Sequence, residues 1–203
     1  MSRVLRAAET AFGTRGYRDT RLEDIASEAS IRRSSLLYHF GSKDELYEEV
    51  VEKAFRELRR RVSESVMTPG NFEERLADLT YALVSFAEER PSMLSVILRA
   101  MIQPRVEGQA IVEANLIPVV DAVESFVSQA GAEELPEDFP VRAAVVQLIC
   151  AKMVHAACGD LAPILWPTGT ATDALTRSLF LGTDATAPSD VSERRKQSRM
   201  ERS

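Results

Sequence analysis

Apolar positions recur at spacings of three and four along the chain, the period of amphipathic helices. Leu5, Ala8 and Phe12 predict a first helix over about 3–14, ended by Gly13 and Gly16, with Tyr17 packing at the junction. Leu22, Ile25, Ala26 and Ala29 predict a second, opening at Arg21 behind Thr20 as N-cap, with Glu23 completing a capping box. A turn through Ser30, Ile31 and Arg32 leads to a third helix that carries Leu36, Leu37 and Phe40 inward and closes at Gly41. Ser42 and Glu45 form a second capping box for a helix over about 43–64, with Leu46, Val50, Ala54, Phe55, Leu58 and Val62 down one side. Arg56, Arg59, Arg60 and Arg61 near its end read as a solvated face and favourable C-terminal charges.

The turn TPGNF (68–72) marks a boundary. Beyond it, Phe72, Leu76, Leu79, Leu83 and Phe86 predict a helix over about 72–89. A strongly apolar helix over about 91–103 follows, stopped by Pro104. The next, about 106–130, contains Pro118, which should kink or split it, and ends at Gly131. After the polar loop AEELPEDF comes PVRAAVVQLICAKMVHAAC (140–158), whose strongly polar residues are Arg142, Gln147, Lys152 and His155. A helix apolar nearly all round must be covered on both sides, so one side is expected on the body and the other on a second subunit. A partner helix over about 171–182 carries Ala174, Leu175, Leu179 and Phe180. Val141, Val145, Leu148, Leu175 and Leu179 are the expected dimer contacts. Trp166, flanked by prolines, is expected to pack over the body or the interface.

Composition then bounds the class. A chain of 203 residues with 45% hydrophobic content can bury a small head and a larger body. The start is charged and amphipathic unlike a signal peptide, and no run approaches the roughly 18 apolar residues of a membrane span, so a cytoplasmic location is expected. Cys150 and Cys158 are expected as reduced, buried thiols rather than a disulfide framework. The net charge of −6 conceals an asymmetry: residues 1–62 hold 13 basic and 11 acidic groups, whereas residues 63–183 hold 7 and 16. A weakly positive head on an acidic body can still bind DNA if its basic groups share one face.

Two helices of about two turns joined by three or four residues match helix-turn-helix geometry. The second presents Arg32, Arg33, Ser34, Ser35, Tyr38 and His39 on or near its outward side, with Lys43 following and Thr20 and Arg21 at the start of the pair. Arginines bond guanine edges or neutralise phosphates, and hydroxyls reach either. The other reading of these residues is a solvated face of a small bundle. The body offers no Gly-rich phosphate loop, no histidine beside a nucleophile and no paired carboxylates. His155 and Cys158 could share a metal with Cys150 or Asp160, but apolar surroundings favour a packed pair, so no metal or cofactor is expected.

The blocks LRAAETAF (5–12), GYRDT (16–20), IASEA (25–29), SLLYHF (35–40) and SKDEL (42–46), at their mutual spacing, resemble the N-terminal domain of TetR-family transcriptional regulators. The resemblance implies that the third helix reads the major groove while Tyr38, His39 and Lys43 hold phosphates. Ser30 stands where the family usually has glycine, and Arg32 where it usually has a capping serine or threonine, leaving Arg32 to cap or to contact DNA. For the body the resemblance is one of helix order, and it implies a four-helix dimer interface and a cavity for a small effector. Plausible lining is Phe86, Met93, Ile97, Met101, Phe126 and Met153, with Arg99, Gln103, Asn115 or His155 as polar anchors.

The expectation is an all-α protein with a three-helix helix-turn-helix head (1–52), a larger effector-binding and dimerisation body (53–183) and a disordered basic tail (184–203). It is a one-component regulator, a repressor, binding a palindromic operator as a homodimer and released by a small, mainly apolar effector. The alternatives are a helical protein-interaction adaptor without DNA binding and a helical enzyme.

Overall fold

The computed structural model describes residues 2–102, 106–166 and 171–181, and every regular element among them is helical. In order these are α1 (Ser2–Asp19), α2 (Leu22–Glu28), α3 (Arg33–Phe40), α4 (Lys43–Val66), α5 (Phe72–Glu89), α6 (Pro91–Ile102), α7 (Val106–Ala130), α8 (Val141–Ala157), α9 (Ala162–Leu165) and α10 (Ala171–Leu181). A 3-10 turn, Gly159–Leu161, precedes α9, and neither of these short elements was expected from the sequence. Gln103, the tail 184–203 and the side chains of Ala174 and Leu175 lie outside the described residues. No single described helix is long and apolar enough to cross a membrane.

The chain divides into two compact units, one holding residues up to 61 together with 85–119, the other holding 62–84 and the residues from 120 onward. In the first, Ala8 and Phe12 of α1, Ile25 of α2, Leu36 of α3 and Leu46, Val50, Ala54, Phe55 and Leu58 of α4 are buried as the helical spacing predicts. Tyr17 packs with its ring centroid 6.1 Å from Phe12 and 5.2 Å from Tyr47. Also in this unit α6 lies tight against α1: a Cβ on Gly13 would stand 2.7 Å from the Ser92 carbonyl oxygen. In the second unit Phe72, Leu76, Leu79 and Leu83 of α5 are buried with Val123, Phe126 and Val127 of α7 and Phe180 of α10. Gly131 ends α7 where a Cβ would stand 2.8 Å from the Phe72 ring.

Several local expectations change. Thr20 is not a cap: its buried hydroxyl donates to the carbonyls of Gly16 (2.7 Å) and Ala11 (3.1 Å), and Arg21 is the N-cap residue of α2. The helix-ending signal at Gly16 is a break inside α1 (φ 79°, ψ 174°) rather than its end. α4 continues to Val66, so Arg56, Arg60 and Arg61 are not last-turn charges but pair with acids, Arg61 with both Glu57 (3.0 Å) and Glu89 (2.7 Å). Of the two outcomes expected at Pro118, the split does not occur: α7 runs through it as one helix. The turn before α5 is a reciprocal capping box, with the Glu74 amide donating to Asn71 Oδ1 and the Asn71 amide to Glu74 Oε2.

α8 also departs from expectation. Val145 and Leu148, expected at a dimer contact, are buried within the chain, beside Ala144, Ile149 and Met153. The uncovered side is the opposite one, through Val146, Gln147, Cys150 and Val154. Cys150 is therefore an exposed free thiol rather than a buried one, and Cys158 is half-buried and free. Val141 is half-buried and Leu179 remains 45% exposed.

Candidate nucleic-acid interface

Two helices of seven and eight residues meet across a turn of four. The turn is closed by the Ser30 amide donating to the Ser27 carbonyl (3.0 Å) and the Ile31 amide donating to the Ala26 carbonyl (2.9 Å). That geometry forces Ser30 to φ +56°, the left-handed region in which a Cβ is unfavourable. The family's usual glycine at this place therefore has a physical reason, and this chain tolerates a serine. Arg32 settles its open alternative: it is the N-cap residue of α3 by backbone, in extended conformation, but its side chain makes no capping hydrogen bond and is exposed.

α3 buries Leu36 and Phe40 and half-buries Leu37, so Arg33, Ser34, Ser35, Tyr38 and His39 are all turned to solvent. Tyr38, an aromatic residue, is 87% exposed, with its ring edge-on to His39 at 5.5 Å. Gly41 closes the helix at φ +67°, and the Ser42 hydroxyl accepts the Glu45 amide (3.1 Å) to open α4 as the capping box predicts. Lys43 stands at that opening with Nζ 4.3 Å from the Tyr17 ring centroid and 3.4 Å from the Arg18 carbonyl oxygen it donates to. The Tyr17 hydroxyl donates to Asp44 Oδ1 at 2.9 Å, so the same ring fixes two consecutive residues of the α4 start.

Charge pairing sorts the cations of the head. Arg33 Nε lies 2.9 Å from Glu23 Oε1, and Arg15 pairs with Asp24 at 2.8 Å. No described partner engages the side chains of Arg18, Arg21 or Arg32, all exposed. Unpaired exposed guanidiniums beside two helix N-termini are suited to phosphate oxygens. Thr20 does not join them, because its hydroxyl is buried against α1. The Arg33–Glu23 pair escaped sequence reasoning; ten residues apart and on different helices, it leaves no periodic signal.

A family model described as bacterial regulatory proteins, tetR family, matches residues 4–50. Residues 4–50 are thus similar to the N-terminal domain of the tetR family. Over 53 residues it is 42% identical to the biofilm operon icaADBC HTH-type negative transcriptional regulator IcaR of Staphylococcus aureus (strain Newman). The match spans 26% of this chain and 28% of that relative, less than a third of its length. The fold as a whole is similar to FadR from Bacillus subtilis, solved in complex with stearoyl-CoA, at TM-score 0.74 with 14% identity, covering 90% of this chain and 98% of that one. It is also similar to the TetR family transcriptional regulator PfmR from Thermus thermophilus, at TM-score 0.70 and 18% identity, covering 90% and 96%. The TetR-type head is thus matched in sequence, and the remaining helices in fold.

The residues expected to line an effector cavity do not all fall in one unit. Phe86, Met93, Ile97, Met101 and Asn115 belong to the first; Phe126, Met153 and His155 belong to the second. Within the first, Phe86, Met93 and Ile97 are core and Met101 is half-buried, while the Asn115 amide donates to the Ile111 carbonyl (2.8 Å). In the second, Phe126 packs on Phe72 (5.9 Å) under the Arg75 guanidinium (4.6 Å). Met153 is core, and the half-buried His155 ring lies 4.9 Å from Trp166. Arg99 is no free anchor, since it donates to the carbonyls of Gly13 (3.2 Å) and Thr14 (3.3 Å) in α1.

Proposed function

We propose that the protein is a one-component transcriptional regulator, a repressor, whose head (1–52) binds double-stranded DNA through α3. The observation that carries this reading is the outward face of α3, where five polar side chains stand clear of a helix anchored by Leu36 and Phe40. Arg33, Ser34 and Ser35 read base edges, and Arg21, Arg32, Tyr38, His39 and Lys43 hold phosphates. The negative regulator IcaR is similar across this same segment.

The body (53–183) dimerises and takes the effector. The uncovered α8 side through Val146, Cys150 and Val154, with Leu179 of α10, is the dimer face. A two-fold dimer requires an inverted-repeat operator with half-sites about one helical turn, or a small multiple, apart. The effector is small and mainly apolar; the fold shared with FadR, whose structure holds stearoyl-CoA, supports that class. Its binding disfavours the DNA-bound head spacing, and by linkage the operator weakens effector binding equally. The protein acts in the cytoplasm. The helical-enzyme alternative has no relative among these regulators to support it, and an adaptor would leave the α3 face without a role.

Selection from a random DNA pool by the purified protein at two salt concentrations tests the reading. An inverted repeat whose retention falls steeply with salt is expected; no enriched motif at either salt would contradict it and favour the adaptor.

A further inference from the structure

We infer that Arg99 is a positioning residue for DNA binding: it fixes the broken end of α1 and, through it, the seat of Lys43. This rests on the DNA-binding reading above.

The break at Gly16 interrupts α1 one residue after Arg15, so the carbonyls just before it lose their partners one turn ahead. Gly13 and Thr14 are two of these, and both accept hydrogen bonds from Arg99, at Nε (3.2 Å) and Nη2 (3.3 Å). The Gly16 carbonyl is taken by Thr20. The guanidinium thus caps one helix end while standing in the last turn of its own helix, α6, a favourable place for a cation with respect to both dipoles. Its Nη1 would lie 3.2 Å from a Cβ at Gly16, so the fork also fills the space the break leaves.

Directly after the break come Tyr17 and Arg18. The Tyr17 ring lies under the Lys43 ammonium, its hydroxyl holds Asp44, and the Arg18 carbonyl accepts from Lys43. The direction in which the chain leaves Gly16 therefore sets where the start of α4 sits, and α4 follows α3 by only Gly41 and Ser42. Arg99 touches none of the side chains proposed to meet DNA, yet its two hydrogen bonds decide that direction. The contact joins residues 85 and 86 apart in sequence, which is why no local pattern marks it.

The test measures affinity for the selected operator by fluorescence anisotropy over a range of salt, with thermal melting of each variant. Arg99→Ala should weaken binding about threefold to thirtyfold, the range of couplings carried through packed networks. The slope of log affinity against log salt should become shallower by no more than the single phosphate contact that Lys43 supplies. Arg99→Lys, able to reach one carbonyl, should recover part of the loss. Combined with Lys43→Ala, the Arg99→Ala loss should shrink, since the seat then carries nothing. If Arg99→Ala does not fold, Arg99→Gln is read in its place. Wild-type affinity in a folded variant, a salt slope lower by clearly more than one, or losses that multiply with Lys43→Ala would overturn the inference. Failure of the wild type to bind any DNA with salt sensitivity would instead remove the DNA-binding reading itself, and this assay separates the two.

Discussion

Ser30 shows how one residue records the constraint of a motif. A non-glycine residue at φ +56° costs on the order of 1 kcal/mol, so Ser30→Gly should stabilise the head by about that amount in denaturant unfolding, with DNA binding retained. Arg33→Ala should cost about 1 to 3 kcal/mol of operator binding and relax preference at one base position, as read by competition with single-base operator variants. Glu57 adds a pH dependence. A hydrogen bond from Arg60 is the largest influence on its carboxyl; burial opposes it, and a hydrogen bond from Arg61 adds to it, holding the group at about 2 against an ordinary 4.5. A depressed acid stabilises above its unfolded value, so this contribution is complete above about pH 4.5 and is lost as pH falls toward 2. Glu57→Gln should therefore flatten the fall in stability across that acid range, as followed by denaturant unfolding at stepped pH.

At the scale of elements, most helices were legible because their apolar spacing is strong and their punctuation is local. The Ser42–Glu45 box and Gly41 are examples, and so is α5, whose residues 72–89 agree with the spacing of Phe72, Leu76, Leu79, Leu83 and Phe86. What sequence could not supply was the partner of a polar group reached from another helix. Thr20 reads as an N-cap beside Glu23, yet the broken end of α1 offers it the Gly16 and Ala11 carbonyls, and that competition decides against capping. The same blindness to direction misplaced Val145 and Leu148. In a helix apolar nearly all round, period alone does not say which side meets the body. Among the candidate site residues, the α3 face followed from the spacing of Leu36 and Phe40, whereas the effector residues rested on helix order and fall in separate units. The close approach of α6 to α1 gives its own test. Gly13→Ala would place a methyl 2.7 Å from the Ser92 carbonyl oxygen and should destabilise the protein by about 1 to 3 kcal/mol in denaturant unfolding.

For the whole molecule, a net charge of −6 is compatible with DNA binding because acids of the head are paired in place: Glu23 with Arg33, Asp24 with Arg15, Glu9 with Lys53. What remains for a polyanion is a small set of exposed cations beside α3, so non-specific affinity should be modest and specificity should depend on assembling two heads. Val146→Glu on the uncovered face of α8 should shift the protein to monomer in sedimentation velocity and abolish tight binding to a two-half-site operator while leaving the head folded. Whether the α3 face meets DNA is measured most directly by comparing the wild type with the triple variant Arg33→Ala, Tyr38→Phe, Lys43→Ala on the selected operator across a salt series. A large loss of affinity with a shallower salt slope is the predicted result; unchanged affinity and slope in a folded triple variant would contradict it.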